Sequence, residues 1–184
     1  MLRGNKELWL AFLAMILITG AYGLLLFFTH RIPPASELFG HGIGIIGFIL
    51  MLMTETLYSL RKRSRSVQWG RMSTWLQFHI FTGLVGPYMV LLHTAWKFNG
   101  IAGVTTLFTL VIVISGFIGR YIFTRIPRTL DGLEIEGTVS QEALKQARSL
   151  LALWHTIHIP IGMALFVSAF VHIGAALYYA TLLK

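Results

Sequence analysis

Five long apolar stretches, separated by shorter polar connections, dominate the chain. They cover about residues 8–28, 39–60, 75–96, 101–122 and 153–183. Each is long enough to cross about 30 Å of hydrocarbon as a helix, which rises about 1.5 Å per residue. A water-soluble helical bundle would need polar faces along these helices, and the stretches lack them. The pattern therefore predicts an all-α membrane protein with five transmembrane helices, forming a single domain over residues 1–184.

The first stretch is longer than the apolar core of a signal peptide, which has about 7–15 residues. No small-x-small cleavage site clearly follows it. We therefore interpret it as a transmembrane helix that is retained.

The connection at about residues 124–149 is the only sizeable polar segment. From Ser140 to Leu153 the pattern predicts a short helix, with Ser140 as its N-cap and Glu142 in its first turn. Its apolar residues recur at helical spacing: Leu144, Ala147 and Leu151. That face could lie on the membrane surface or on a partner. The other interpretation is a solvated connector that continues into the fifth span.

Basic residues are distributed unevenly between the connections. Of the 15 Lys and Arg residues, only Arg31, Lys97 and Lys184 lie after the first, third or fifth span. The others lie before the first span or beside the connections after the second and fourth: Arg3, Lys6, Arg61, Lys62, Arg63, Arg65, Arg71, Arg120, Arg125, Arg128, Lys145 and Arg148. The positive-inside rule therefore predicts a cytoplasmic N-terminus and an external C-terminus. The net charge of +8 indicates orientation rather than a nucleic-acid partner.

Composition narrows the chemistry that the chain can perform. Hydrophobic residues make up 55% and charged residues 12%, whereas soluble domains have about 25% charged residues. There is no cysteine, which excludes disulfides, thiolate metal sites, cysteine-ligated iron–sulfur clusters and covalently attached c-type haem. A chain of 184 residues with five spans leaves little room for a separate flavin or nucleotide domain.

Four of the seven histidines form two matching pairs. His79 and His93 lie on the third span, His158 and His172 lie on the fifth, and both separations are 14 residues. Fourteen steps of about 100° come within about 40° of four full turns, so the two histidines of each helix share one face. They lie about 21 Å apart along the helix axis. With one span between them, the third and fifth helices run parallel. The spacing therefore places His79 level with His158, and His93 level with His172.

Two facing histidines at each of two levels suit a stack of two six-coordinate haems. Haem iron takes its two axial ligands from the protein, and neutral imidazole is a good iron ligand. Without cysteine the haems would be non-covalent, hence b-type. Small residues on the same faces would leave room for a porphyrin: Gly83, Gly86 and Gly162. Glycines in membrane helices also mark close helix packing, and that interpretation stays open.

Three further residues are candidates for cofactor contact. Arg120, near the end of the fourth span, could neutralise a haem propionate or anchor the helix at the interface. His155 and His41 could contact propionates or serve as ligands of a third haem, and His41 could also help to bind a quinone. The alternative for His155 is a capping or interface role, and the alternative for His41 is packing. We expect His30 to be an interfacial residue.

Paired H-x13-H motifs on two parallel helices resemble the four-helix di-haem core of quinol-oxidising cytochrome b. They also resemble the ferric-reductase-like transmembrane cytochromes, which include NADPH oxidases and the haem subunit of periplasmic methionine sulfoxide reductase systems. In that family the ligands lie on the third and fifth spans, and the first of each pair is near the cytoplasm. The resemblance covers about residues 39–183 and implies an inner pair, His79 and His158, and an outer pair, His93 and His172. The chain departs from that family in having five spans rather than six and no flavin or pyridine-nucleotide domain.

We therefore expect a four-helix-type bundle around two stacked haems, in the bacterial inner membrane. The expected function is electron transfer across the bilayer, between a quinone pool or redox partner subunits that carry flavin, iron–sulfur or further haem. One alternative is a quinone-binding membrane anchor of an oxidoreductase complex. Another is a non-redox metal or proton transporter that uses the same histidines.

Overall fold

The protein consists of five α-helices in the part of the chain that the computed structural model describes, residues 5–63, 70–126 and 140–182. They are α1 (Lys6–Thr29), α2 (Leu38–Arg63), α3 (Met72–His93), α4 (Gly100–Phe123) and α5 (Gln141–Leu182). All five are long and apolar enough to cross a membrane. The structure thus confirms an all-helical chain with five membrane-spanning candidates.

Some predicted segments lie partly outside the described residues. The polar connection predicted over about 124–149 is described at 124–126 and from 140 onward. The end of the predicted fifth span, at 183, also lies outside. So do four of the basic residues used for the orientation: Arg3, Arg65, Arg128 and Lys184.

The end of α3 differs from the predicted end of the third span. The helix stops at His93, whereas the apolar pattern continues to Trp96. Ala95 and Trp96 both adopt left-handed backbone conformations, with φ of 47° and 61°. Such conformations cannot continue a right-handed helix, so His93 is the last helical residue.

The short helix predicted after the polar connection is the beginning of α5. The Ser140 hydroxyl accepts a hydrogen bond from the Ala143 backbone N–H at 3.3 Å, which confirms the predicted N-cap. From there α5 runs without interruption for 42 residues, about 63 Å. The segment is therefore a connector that continues into the fifth span, as the second interpretation proposed.

The apolar face at the beginning of α5 is covered by the chain itself. Leu144, Ala147 and Leu151 form a buried cluster with Ile126, just after α4. Partly buried side chains from the end of α4 and from α5 complete this cluster: Ile122, Phe123 and Trp154. The face therefore packs against the end of α4 rather than lying on the membrane surface or a partner.

Helix contacts divide the chain into two units. The first contains α1, α2 and α3, and α3 packs against both of the others. Its buried apolar side chains come from all three helices: Ala11, Tyr22, Ile43, Val85, Met89 and Leu92. A hydroxyl pair also joins α2 to α3, because Thr54 donates to Thr82 at 2.7 Å. The Thr19 and Tyr88 hydroxyls join α1 to α3 in the same way.

The helices α2 and α3 approach each other closely at two glycines. A Cβ on Gly86 would lie 2.9 Å from the Gly47 carbonyl oxygen and 3.0 Å from Met51 Cγ. A Cβ on Gly47 would lie equally close, at 2.9 Å, to the Gly86 carbonyl oxygen. Small residues let two membrane helices pack backbone to backbone, and this pair does so.

The second unit contains α4 and α5, packed along each other. Three buried threonines on α4 hydrogen-bond to carbonyls one turn earlier in their own helix: Thr105, Thr106 and Thr109. On α5, Leu165 and Ala169 are buried. A membrane helix must satisfy its polar side chains internally, and the threonines do so within one helix.

Replacing Gly86 with alanine should destabilise the first unit. The added Cβ meets backbone and side-chain atoms of α2 that can yield only if the helices separate, and overpacking of this kind costs about 1–3 kcal/mol. The free energy of unfolding, measured by SDS titration in mixed micelles with circular dichroism, should fall accordingly. Gly20→Ala is the matched control, since nothing lies within 4 Å of a Cβ there. Equal effects of both substitutions would contradict the packing role of Gly86.

Candidate functional site

His79 lies on α3 with its ring partly buried against α2. Its Nδ1 is 3.0 Å from the backbone carbonyl oxygen of Thr54. The Tyr58 ring, one turn further along α2, lies 4.9 Å away between ring centroids. A carbonyl oxygen can only accept a hydrogen bond, so Nδ1 of the neutral ring carries the proton and Nε2 carries the lone pair.

His93, at the end of α3, repeats this arrangement near the beginning of α2. Its Nδ1 lies 2.7 Å from the Gly40 carbonyl oxygen. Gly44 provides the space for the ring, because a Cβ there would lie 2.6 Å from His93 Nδ1 and 2.7 Å from Cγ. Gly40 in turn packs against Pro34, whose carbonyl oxygen a Cβ would overlap. The second imidazole of α3 therefore also donates from Nδ1, which leaves Nε2 as the nitrogen that is not used in this hydrogen bond.

His158, on α5, has a side-chain partner on α4. Its Nδ1 is 2.9 Å from the Ser115 hydroxyl oxygen on α4. The Trp154 indole lies over the imidazole, with 4.4 Å between ring centroids and 30° between planes. The same indole N–H donates to the Ser115 carbonyl at 2.8 Å and to its hydroxyl at 3.1 Å. His158 is thus held between α4 and the preceding turn of α5.

A glycine on α4 makes room for the indole. A Cβ on Gly119 would overlap the six-membered ring of Trp154, so that only glycine allows this contact. His155 lies on another side of the same indole, 4.7 Å between ring centroids. His172 is partly buried on α5, 14 residues after His158 in one continuous helix.

The glycines predicted to line a cofactor all adjoin a neighbouring helix. A Cβ on Gly83 would lie 3.4 Å from Thr54 Cγ2, and one on Gly162 would lie 3.8 Å from Ile112 Cδ1. These are ordinary van der Waals distances, so the structure leaves room for a Cβ at both positions. Gly86 is different, because its close approach to α2 accounts for it without a cofactor. Cofactor contact at these three positions stays a prediction.

The remaining candidates lie near the ends of helices. His41 is exposed on α2, and its ring stands at 76° to that of His93, with 6.4 Å between centroids. Arg120 is partly buried in the last turn of α4. His30 is the exposed C-cap of α1, in a left-handed conformation with φ of 52°.

The four histidines proposed as haem ligands are divided between the two units, with two in each. His79 and His93 share α3, and His158 and His172 share α5. The pairing of histidines between α3 and α5 stays a prediction. Within residues 5–63, 70–126 and 140–182, no group of three or more His, Asp or Glu side chains is arranged to hold a metal ion.

Several residues that hold the histidines were not predicted from sequence. Gly44 lies in a run of glycines that also contains Gly40 and Gly47, and that run indicates close approach of another element. Ser115 is a lone hydroxyl in an apolar part of α4, a weaker indication. The carbonyl acceptors leave no trace in the sequence, since every residue has one.

No protein-family model, curated protein or solved structure matches this chain. The case for a function therefore depends on the residues themselves. The repeated 14-residue spacing and the hydrogen bonds of the imidazoles are the two observations that bear on it.

Replacing Gly44 with alanine should displace the His93 ring from the Gly40 carbonyl. The added Cβ would overlap the imidazole, so the Nδ1 hydrogen bond must lengthen or break. The measurement is the ring ¹⁵N resonances of ¹⁵N-histidine-labelled protein in micelles, with His93 assigned by the signal lost in His93→Gln. Gly42→Ala is the control, because nothing lies within 4 Å of a Cβ there. An unchanged His93 signal in Gly44→Ala would contradict the geometry.

Proposed function

We propose that the protein is a di-haem b-type membrane cytochrome, the electron-transfer subunit of a larger oxidoreductase. The observation that carries this proposal is the shared arrangement of His79 and His93. Each points Nδ1 at a backbone carbonyl of α2, at 3.0 and 2.7 Å, and so leaves Nε2 as the atom able to bind a metal. Histidines that bind metals characteristically donate their other ring nitrogen to a carbonyl or carboxylate, which fixes the tautomer and the ring orientation.

The spacing of these imidazoles suits haem. Each of the two helices offers a pair of histidines on one face, about 21 Å apart, so that one histidine of each pair lies at each proposed haem level. Haem iron needs only two protein ligands, because the porphyrin supplies the other four. We assign His79 with His158 to one haem, and His93 with His172 to the other. Bound haem iron supplies one-electron oxidation and reduction.

The protein's own residues would position and tune that chemistry. If two histidines hold each haem, no position on the iron would remain for a substrate, and this would favour relay of electrons. The Thr54 and Gly40 carbonyls hold the α3 ligands in orientation. Arg120, partly buried in the last turn of α4, would neutralise a haem propionate. With no cysteine in the chain, the haems would be held by these contacts and by packing alone.

The proposal extends to orientation and partners. The distribution of Lys and Arg supports a cytoplasmic N-terminus and an external C-terminus. We place the protein in the bacterial inner membrane, where it would exchange electrons with quinone or with subunits that carry flavin, iron–sulfur or further haem. Electrons would then cross the bilayer from one haem level to the other.

Purified protein should show the α-band of b-type haem in a reduced-minus-oxidised spectrum, with two haems per chain by pyridine haemochrome assay. His79→Ala, His93→Ala, His158→Ala and His172→Ala should each lower that stoichiometry to one or less, because each removes an axial ligand. His30→Asn is the control and should keep two haems, since His30 is an exposed helix cap.

Other results would redirect the assignment. A spectrum without haem would overturn the proposal, and binding of Zn²⁺ by that same haem-free protein would favour the transporter. A His93→Ala variant that keeps two haems would show that the ligands are assigned wrongly. Loss of quinol oxidation in Arg120→Gln or His41→Gln, with both haems retained, would make quinone binding the main role.

A further inference from the structure

We propose that Ser115 is a positioning residue for His158, and that its hydroxyl sets the reduction potential of the haem that His158 binds. This inference rests on the proposed function, because it concerns one of the assigned ligands. It follows from the contacts within the second unit alone. Neither Ser115 nor Trp154 is among the residues that the sequence pattern singles out.

The hydroxyl of Ser115 stands at the nitrogen of His158 that would not bind iron. The distance from Ser115 Oγ to His158 Nδ1 is 2.9 Å, and both side chains are partly buried. An imidazole that binds iron through Nε2 carries its remaining proton on Nδ1. Ser115 therefore accepts this hydrogen bond, in the position that carbonyls occupy for the α3 histidines.

A second donor acts on the same oxygen. The Trp154 indole N–H donates to Ser115 at both its carbonyl, 2.8 Å, and its hydroxyl, 3.1 Å. An indole N–H can only donate, so it occupies part of the accepting capacity of Oγ. Gly119 makes this possible by leaving space for the indole ring. The acceptor for His158 is thus a hydroxyl that already receives another hydrogen bond.

This arrangement distinguishes His158 from the two histidines on α3. His79 and His93 donate to backbone carbonyls, which have no proton of their own. An acceptor at Nδ1 raises the basicity of a histidine ligand and so stabilises the ferric state. The Ser115 hydroxyl, which already accepts from the indole, should raise the basicity of His158 less than a carbonyl would. Removing it should raise the potential of that haem, and removing only the competing indole donor should lower it.

The test is a potentiometric titration of the haem α-band in four variants of the full chain. Ser115→Ala should shift one of the two midpoint potentials upward, and Ser115→Thr, which keeps the hydroxyl, should restore the wild-type value. Trp154→Phe keeps an aromatic ring beside His158 but removes the indole donor, so it should shift the same potential downward. Thr106→Val is the matched control on α4, because the Thr106 hydroxyl bonds only to the Ala102 carbonyl of its own helix at 2.9 Å.

The outcomes separate this inference from the proposed function. Wild-type protein without haem would overturn both. Two haems in the wild type, with potentials in Ser115→Ala equal to those of Thr106→Val, would overturn the role of Ser115 alone. Shifts of the same sign in Ser115→Ala and Trp154→Phe would also overturn it, because general loosening of the site moves both variants in one direction. Loss of one haem in Ser115→Ala that Ser115→Thr reverses would support it.

Discussion

A polar side chain on an apolar helix needs a hydrogen-bond partner, because burying a polar group without one is costly. In this protein the imidazoles on α3 meet that need through backbone carbonyls of α2, and His158 meets it through a serine on α4. The two carbonyl bonds require a proton on Nδ1 of His79 and of His93, because a carbonyl oxygen can only accept. They also fix the direction of the other nitrogen, on which any metal chemistry of the histidines depends.

The close packing of α2 on α3 serves the same end. The Nδ1 of His93 can reach the Gly40 carbonyl only if the two helices lie near each other, and the glycines at 44, 47 and 86 permit that. The Thr54–Thr82 hydroxyl bond then holds the helices beside His79. Glycines that the sequence alone would assign to cofactor space are therefore also part of how the imidazoles of α3 are oriented.

The helices and the histidine faces were predictable because each depends on one periodic property. A membrane span requires about 20 apolar residues whatever its neighbours are, and residues 14 apart share a helix face by geometry alone. The end of α3 was not predictable, since nothing in the identity of Ala95 or Trp96 favours a left-handed backbone. Nor was the covering of Leu144 by the end of α4, because an amphipathic face does not specify what packs against it.

The partners of the histidines were beyond sequence reasoning for a related reason. A backbone carbonyl such as that of Thr54 has no residue-specific identity, and Ser115 is 43 residues from His158. Both contacts arise only when two helices adopt a particular register. Helical periodicity shows which face of its helix a residue occupies. It does not show how far one helix is shifted along its neighbour.

The length of α5 makes register an issue of its own. At about 63 Å, α5 is about twice as long as the hydrocarbon core of a bilayer is thick. The two ends of α5 therefore do not determine which part of it would lie within a membrane. Its position along α4 is set by side chains instead: the cluster around Leu144 and the indole bond of Trp154 to Ser115. A slip by one helical turn, about 5.4 Å, would remove His158 from its serine while leaving the backbone bonds of α5 intact. These contacts thus fix the position of α5 along its own axis relative to α4.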